Sequence, residues 1–285
     1  MINIDFFTFI YGDTYTYAEY LRQICETFSS HEIQINYKCI ESVRASKIPY
    51  GYTFVGKTGE NSYGGSARHS MALKESLNHI TSKYVILADA DIAITYKDWD
   101  KIVVEKLDSG LFCFGFSYHR KNGRYLNFPN IFFFCFRSDM IDNMDLDFSP
   151  KMINKNIDGK IVPKVDTELI DTKEKSDIYG YSVGSHLMCD TGWKLPMIIR
   201  SKGLTGEALP CFRCNSKSQL LPYTDKDQKK MCYKKPRHMH EYHYNGSVFG
   251  THLKRGAETS IGDGYGKIWR ERISLYVKNQ YNIII

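Results

Sequence analysis

Apolar and polar positions from Asn3 to Ile92 fall into alternating stretches of strand and helix spacing. Asn3 to Ile10 is an apolar, β-prone run that Tyr11-Gly12-Asp13 closes as a turn. Tyr17, Tyr20, Leu21, Ile24 and Phe28 recur at helical spacing and predict a helix over Tyr15 to Phe28. Ile33, Ile35 and Tyr37 alternate with Gln34, Asn36 and Lys38, which predicts a strand over Ile33 to Ile40, and Tyr52 to Val55 reads as a short third strand. Ala67, Met71, Leu73, Leu77 and Ile80 mark a helix from Ser66 to Ile80, entered through Gly64-Gly65. Lys83 to Ile92 is a near-continuous apolar run, the pattern of a strand buried on both faces. The predicted order is β-α-β-β-α-β.

Such alternation predicts an α/β fold with a largely parallel sheet, whose ligands bind beyond the carboxyl ends of the strands. Farther along, Trp99 to Leu107 reads as a helix, and Leu111 to Tyr118 and Asn130 to Arg137 as strands. Asp142 to Ile178 is polar and poorly periodic and is expected to form long loops or a lid. Thr191 to Lys202 predicts a short helix closed by Gly203, Ser247 to Phe249 a strand, and Lys267 to Val277 a last helix.

Composition narrows the class. The 285 residues suit one compact domain, and 42% hydrophobic with 25% charged residues exclude a disordered chain. The aromatic content is high, with 21 Tyr, 16 Phe and 3 Trp. A net charge of +6, densest from Lys226 to Arg237, is weaker than a polyanion-binding stripe and argues against a nucleic-acid partner. No apolar run is long enough for a transmembrane segment, and the N-terminus lacks the form of a signal peptide. A soluble, cytoplasmic protein is the expectation. The eight cysteines are then read as thiols or metal ligands and not as disulfide partners. Abundant Lys, Ile, Asn, Tyr and Phe suit the AT-rich genome of a virus or microbe.

The candidate chemistry begins at Asp89-Ala90-Asp91. In a single strand through Lys83 to Ile92, Asp89 and Asp91 would project from one face with Ala90 turned away. Two carboxylates beside an apolar run are costly without a cation, because each raises the pKa of the other and desolvation disfavours both charges. Mn²⁺ or Mg²⁺ would relieve that cost and hold a diphosphate. The same residues also suit a solvated strand end.

Three stretches together resemble the GT-A glycosyltransferases, above all the inverting family 2: FFTFIYGD as the opening strand and turn, GGSARHSMAL as the small-x-A-R-N-x-G helix start, and VILADADI as the DxD strand. His69 stands where that family often has Asn, and no D-G-S-x-D element follows the second strand. The resemblance implies a GT-A-like, Rossmann-like nucleotide-diphospho-sugar transferase fold, with a mixed, mostly parallel central sheet flanked by helices. It implies a single domain over residues 1–285, with a nucleotide-sugar-binding half at 1–92 and an acceptor-binding half at 93–285. The nucleotide would lie over Tyr11, Gly12 and Asp13, Glu41 would meet the base or ribose, and Arg68 would face the diphosphate; Lys254 and Arg255 either close over the diphosphate or face solvent. An arginine at a helix start suits an anion for its own reasons, since its guanidinium adds to the free N–H groups there.

Inverting transfer also needs a carboxylate to take the acceptor's proton. Cys189-Asp190-Thr191-Gly192 resembles the E-D element that supplies it in family 2, which makes Asp190 the candidate base, with Asp166 and Glu168 in reserve. An Asp preceding a helix is also a preferred N-cap. The resemblance further implies a late histidine ligand: His252 first, His243 second. Aromatic side chains such as Trp193 or Tyr181 are candidates to stack on sugar. Cys211, Cys214 and Cys232 with His238 or His240 have a spacing compatible with a structural Zn²⁺, or they are unliganded thiols and imidazoles.

The sequence thus leads to a metal-dependent transfer of sugar from a nucleotide-diphosphate sugar, foremost a UDP-sugar, to a hydroxyl of a glycan or glycoconjugate, with inversion. Two rivals stand beside it. A nucleotidyltransferase making nucleotide sugars would need a Gly-rich phosphate loop where FIYGDTYTY stands. A zinc-containing nucleic-acid-binding protein would use the basic tail.

Overall fold

A computed structural model describes residues 1–58, 65–120, 125–141, 144–154, 181–183, 186–213, 218–220, 239–253 and 265–285. The chain runs β1 (Ile2–Gly12), α1 (Tyr15–Phe28), β2 (Ile33–Ala45), β3 (Thr53–Lys57), α2 (Gly65–Leu77), β4 (Tyr84–Asp89), β5 (Ile92–Ile94) and α3 (Trp99–Asp108). It continues through β6 (Cys113–Phe116), β7 (Phe133–Arg137), β8 (Lys151–Asn154), β9 (Tyr181–Val183), β10 (His186–Cys189) and α4 (Leu195–Ser201). The last elements are β11 (Gly206–Leu209), β12 (Cys211–Arg213), β13 (Met239–Tyr244), β14 (Ser247–Leu253) and α5 (Tyr265–Tyr281).

Seven strands form the central sheet in the order β11-β6-β7-β4-β1-β2-β3. β7 pairs antiparallel with both β4 and β6, while the remaining pairings are parallel, so the sheet is mixed and mostly parallel. Alternation along the inner strands builds a core on each side. Ile4, Phe6 and Ile10 of β1 and Ile86 and Ala88 of β4 face α1, α3 and α5; Phe7, Phe9, Val85 and Leu87 face α2 and α4. Each fully buried Phe adds about 1.5–3 kcal/mol over its exposed state.

A second sheet, β12-β13-β14-β5, abuts the first. Its seam explains the aromatic composition. Phe116 of β6 stacks on Tyr242 of β13 with centroids 3.8 Å apart and planes at 3°, and Phe249 of β14 packs edge-on against Phe114 and Phe116. A third sheet, β8-β10-β9, contains the short strand Lys151–Asn154 inside the stretch expected to be loops.

Two expectations are corrected. Lys83 to Ile92 is not one strand: β4 ends at Asp89, Ala90 and Asp91 form a turn, and β5 enters the second sheet. Apolar patterning cannot see the break, because Ile92, Ala93 and Ile94 are as fully buried on the second sheet as Ile86 and Leu87 are on the first. The helix expected from Thr191 starts only at Leu195, because Gly192 holds φ +75°, outside the helical region. Lys194 therefore occupies the N-cap and Asp190 does not.

Candidate metal centre

The order of strands places a crevice before any side chain is considered. From β1 the chain proceeds outward through β2 and β3, then returns to lay β4 on the other side of β1. Ligands of open α/β sheets bind outside the carboxyl ends of the strands at such a reversal. β4 ends there with Asp89, directly opposite Phe9 of β1, and β1 runs on to Tyr11 and Gly12.

Asp89 and Asp91 are brought together by the turn between the two sheets. The N–H of Asp89 is held by the carbonyl of Phe132 at 2.9 Å, and the carbonyl of Asp91 accepts the N–H of Leu253 at 2.9 Å. The latter bond belongs to the seam where β14 pairs with β5 and sets His252 opposite Ile92. His252 Nε2 then lies 3.3 Å from Asp91 Oδ1 and 3.9 Å from Asp89 Oδ2, and its ring stacks on Phe132 at 4.7 Å. One ligand atom from each of Asp89, Asp91 and His252 falls within 4.8 Å of the others. Asp91 and His252 are buried, and Asp89 keeps 30% of its side chain exposed.

The electrostatics of this group fit a cation. Burial first, then the charge of Asp91, drives the Asp89 carboxyl well above the usual carboxylate range, against the pull of His252. A divalent ion would relieve that repulsion. Carboxylates suit Mg²⁺, Ca²⁺ and Mn²⁺, whereas imidazole suits transition metals, so the mixed Asp-Asp-His set is compatible with a divalent cation of either kind.

A further carboxylate borders the group. Asp190 contributes to the raised pKa of Asp89, and it is oriented by several donors. Ser66 Oγ of α2 donates to its Oδ1 at 3.2 Å, the N–H of Thr191 reaches the same oxygen at 3.0 Å, and the hydroxyl of Tyr118 reaches Oδ2 at 3.2 Å. Thr191 in turn donates to the carbonyl of Ser66 at 2.9 Å, which fastens the Asp190 turn to the start of α2. Arg68 stands on the same first turn, with its Nε buried and making no hydrogen bond among the described residues.

The remaining sequence candidates distribute as follows. Tyr11 is 36% exposed, Gly12 has φ +49° with open space beside it, and Asp13 accepts the hydroxyl of Ser46 at 2.7 Å. Glu41 sits within β2, which runs on to Ala45, and its carboxylate accepts the Ala45 N–H at 2.8 Å. His243 lies on a bulge of β13, paired with Glu241 at 3.1 Å and packed on Phe212, and it is not part of the Asp-Asp-His group. Trp193 is buried, with its indole N–H donated to the Ser149 carbonyl at 3.1 Å, so its ring serves the core. Asp166, Glu168 and Lys254 lie outside the described residues, as do Cys214, Cys232 and His238 of the zinc set; Cys211 is on β12 and His240 on β13. Five of the six described cysteines are buried. No helix among the described residues is long and apolar enough to cross a membrane.

Ser66, Tyr118 and Phe132 were invisible as site residues in the sequence, since hydroxyls and aromatic rings are common and nothing in their spacing ties them to Asp190 or His252. His69 carried a signal in its replacement of Asn within GGSARHSMAL.

No family model matches the chain, and no curated protein matches it. Solved structures do. A mannosyltransferase from Pyrobaculum calidifontis, in complex with GDP-Man and Mn²⁺, is 12% identical with a TM-score of 0.39, the match covering 73% of this chain and 54% of the other. A Drosophila β-1,4-galactosyltransferase 7 variant, with manganese, UDP-Gal and xylobiose, is 11% identical with a TM-score of 0.40, covering 73% and 65%. Glucosyl-3-phosphoglycerate synthase from Mycobacterium tuberculosis, with Mn²⁺ and UDP-glucose, is 10% identical with a TM-score of 0.35, covering 49% and 57%. The match thus spans less than two thirds of the length of each of these proteins.

Proposed function

We propose that this protein is a Mn²⁺-dependent glycosyltransferase that moves a sugar from a nucleoside-diphosphate sugar, foremost a UDP-sugar, to a hydroxyl of a glycan or glycoconjugate. The observation that carries the reading is the convergence of Asp89, Asp91 and His252 at the carboxyl end of β4, with Asp190 beside them. Three metal-capable side chains and an oriented carboxylate at the strand-order reversal are what such a reaction requires. When bound, the cation would neutralise the diphosphate and stabilise the charge it gains on departure.

The chain's own groups divide the remaining tasks. Tyr11, Gly12 and Asp13 at the end of β1 receive the nucleoside, with Glu41 of the neighbouring strand beside it. Arg68 aims a guanidinium from the first turn of α2 toward the diphosphate, where the helix's free N–H groups add to it. Lys254, two residues beyond His252 in the chain, supplies a further positive charge for the diphosphate. Asp190 takes the proton of the acceptor hydroxyl as the acceptor oxygen bonds to the anomeric carbon and the bond to the diphosphate oxygen breaks. Attack on the face opposite the leaving group inverts the configuration. Ser66 and Tyr118 fix the direction from which Asp190 approaches.

The test is thermal unfolding with UDP, GDP and dTDP, each with and without Mn²⁺. At a ligand concentration near one hundred times Kd, a ligand that binds only the folded chain adds about 2.7 kcal/mol. That corresponds to a rise of roughly 5–10 °C for a chain of this size. A rise with one nucleotide that requires Mn²⁺ is expected. No response to any of the three overturns the reading.

A further inference from the structure

His69 is the side chain at this centre to which neither the metal set nor the transfer chemistry gives a task. It lies on α2 one turn after Ser66, and its ring is held edge-on by Phe9 of β1, with centroids 5.1 Å apart and planes at 65°. Its Nε2 is buried and makes no hydrogen bond among the described residues, and it faces Asp89 Oδ1 at 3.4 Å. The opposite oxygen of the same carboxylate, Oδ2, is the one turned toward His252. Asp89 is thus flanked by two imidazoles, one on each oxygen. Only His252 belongs to the group whose ligand atoms converge; His69 stands behind the carboxylate.

We propose that His69 is a positioning residue for Asp89: its Nε2–H, 3.4 Å from Oδ1 and short of a formed hydrogen bond here, closes on Oδ1 when a cation draws Oδ2, and so holds the carboxylate in its binding orientation. The inference rests on the metal reading above. Carboxylates that bind metals are themselves oriented by hydrogen bonds from surrounding groups, and loss of such a partner typically costs 10–100-fold in metal affinity. The geometry here supplies that partner from a helix that also holds Asp190 through Ser66 Oγ at 3.2 Å. Residues 66 and 69 lie on one helical face, so a single turn of α2 orients both carboxylates and sets the distance between cation and base.

The test is direct titration of the full chain with Mn²⁺ alone, read by the electron paramagnetic resonance of the free ion. His69→Leu, which fills the same space without a donor, is expected to weaken binding by about 10–100-fold. His69→Gln, whose side-chain amide reaches to a similar depth, is expected to restore affinity to within a few-fold of the original. A merely structural role would not be rescued by Gln. If His69→Leu does not fold, His69→Asn takes its place, since its amide is too short to reach Oδ1 and the same loss is expected. Wild-type affinity in a donor-free or short-amide variant overturns the positioning role and leaves the metal site intact. A wild-type chain that binds no Mn²⁺ overturns the metal reading itself, and this inference with it.

Discussion

His252 Nε2 lies 3.3 Å from Asp91 Oδ1 because β14 pairs with β5, so the candidate metal centre is assembled by the seam between two sheets. The imidazole has little freedom there, being stacked on Phe132 and almost wholly buried. Replacing it by Ala removes one of three converging ligands without touching the seam's backbone bonds. His252→Ala is expected to weaken Mn²⁺ binding by about tenfold or more, at least ~1.4 kcal/mol. Calorimetric titration checks this, with the unfolding midpoint confirming that β14 remains in place.

Asp89 and Asp91 oppose one another in the metal-free protein, and burial adds to the opposition. Asp89→Asn deletes that repulsion while keeping the shape of the side chain. The metal-free variant is therefore expected to unfold about 2–4 °C higher than wild type, the equivalent of ~1 kcal/mol, and to gain little or nothing on adding Mn²⁺. An ordinary structural aspartate would give the opposite result, with a lower midpoint in the variant. Scanning calorimetry with and without Mn²⁺ separates the two.

These two residues also show how far the sequence reached. Asp89 and Asp91 were legible as a pair because carboxylates beside a buried apolar run are chemically conspicuous. The reason for their proximity was not, since strand periodicity put them on one face of a single strand and the structure joins them by a turn. The order β1-α1-β2-β3-α2-β4 followed from local periodicity, and α1 matches its expected bounds at both ends. Asp190 was found through its neighbours in the chain, but its bonds to Ser66 and Tyr118 depend on long-range packing that no local pattern encodes. His69 stood out in the sequence only as a departure from Asn, and its approach to Asp89 depends on the packing of α2 over β1 and β2.

Asp5, at the opposite end of β1, predicts how the fold responds to acid. Burial alone would raise its pKa, but the N–H groups of Thr81 and Ser82 and the ammonium of Lys38, 3.0 Å away, outweigh burial and lower it. A group depressed in the folded state stabilises the fold above its unfolded pKa of about 3.8 and loses that contribution as pH falls through the folded value. Asp5→Asn leaves Lys38 facing a neutral partner in a nearly buried site and is expected to cost about 3 kcal/mol at neutral pH. The gap between wild type and variant should narrow below about pH 4, as wild-type Asp5 takes up its proton. Urea midpoints measured from pH 7 down to the acid limit follow it; a gap that stays constant with pH would assign the loss to packing instead.

Gly192 links backbone conformation to the proposed base. Its φ of +75° is one that residues with a side chain rarely adopt, and an added Cβ would stand 2.6 Å from Ile131 Cγ2. Gly192→Ala must therefore shift the turn of residues 190–194 or displace Ile131, at a cost of about 1–3 kcal/mol. Since the Thr191 hydroxyl and the Asp190 carboxylate are both bonded to Ser66, a shifted turn moves Asp190 relative to Asp89. Turnover is expected to fall about a hundredfold, as it does when a reacting group is displaced by about 1 Å, while Mn²⁺ affinity stays within a few-fold. Asp190→Asn should show the same separation more strongly, with turnover down by about 10²–10⁴ and metal and nucleotide binding retained. Steady-state rates beside Mn²⁺ titrations of both variants decide the matter. Normal turnover in Asp190→Asn would remove that residue from the role of base, and loss of Mn²⁺ binding in Gly192→Ala would show that the turn supports the metal centre as well.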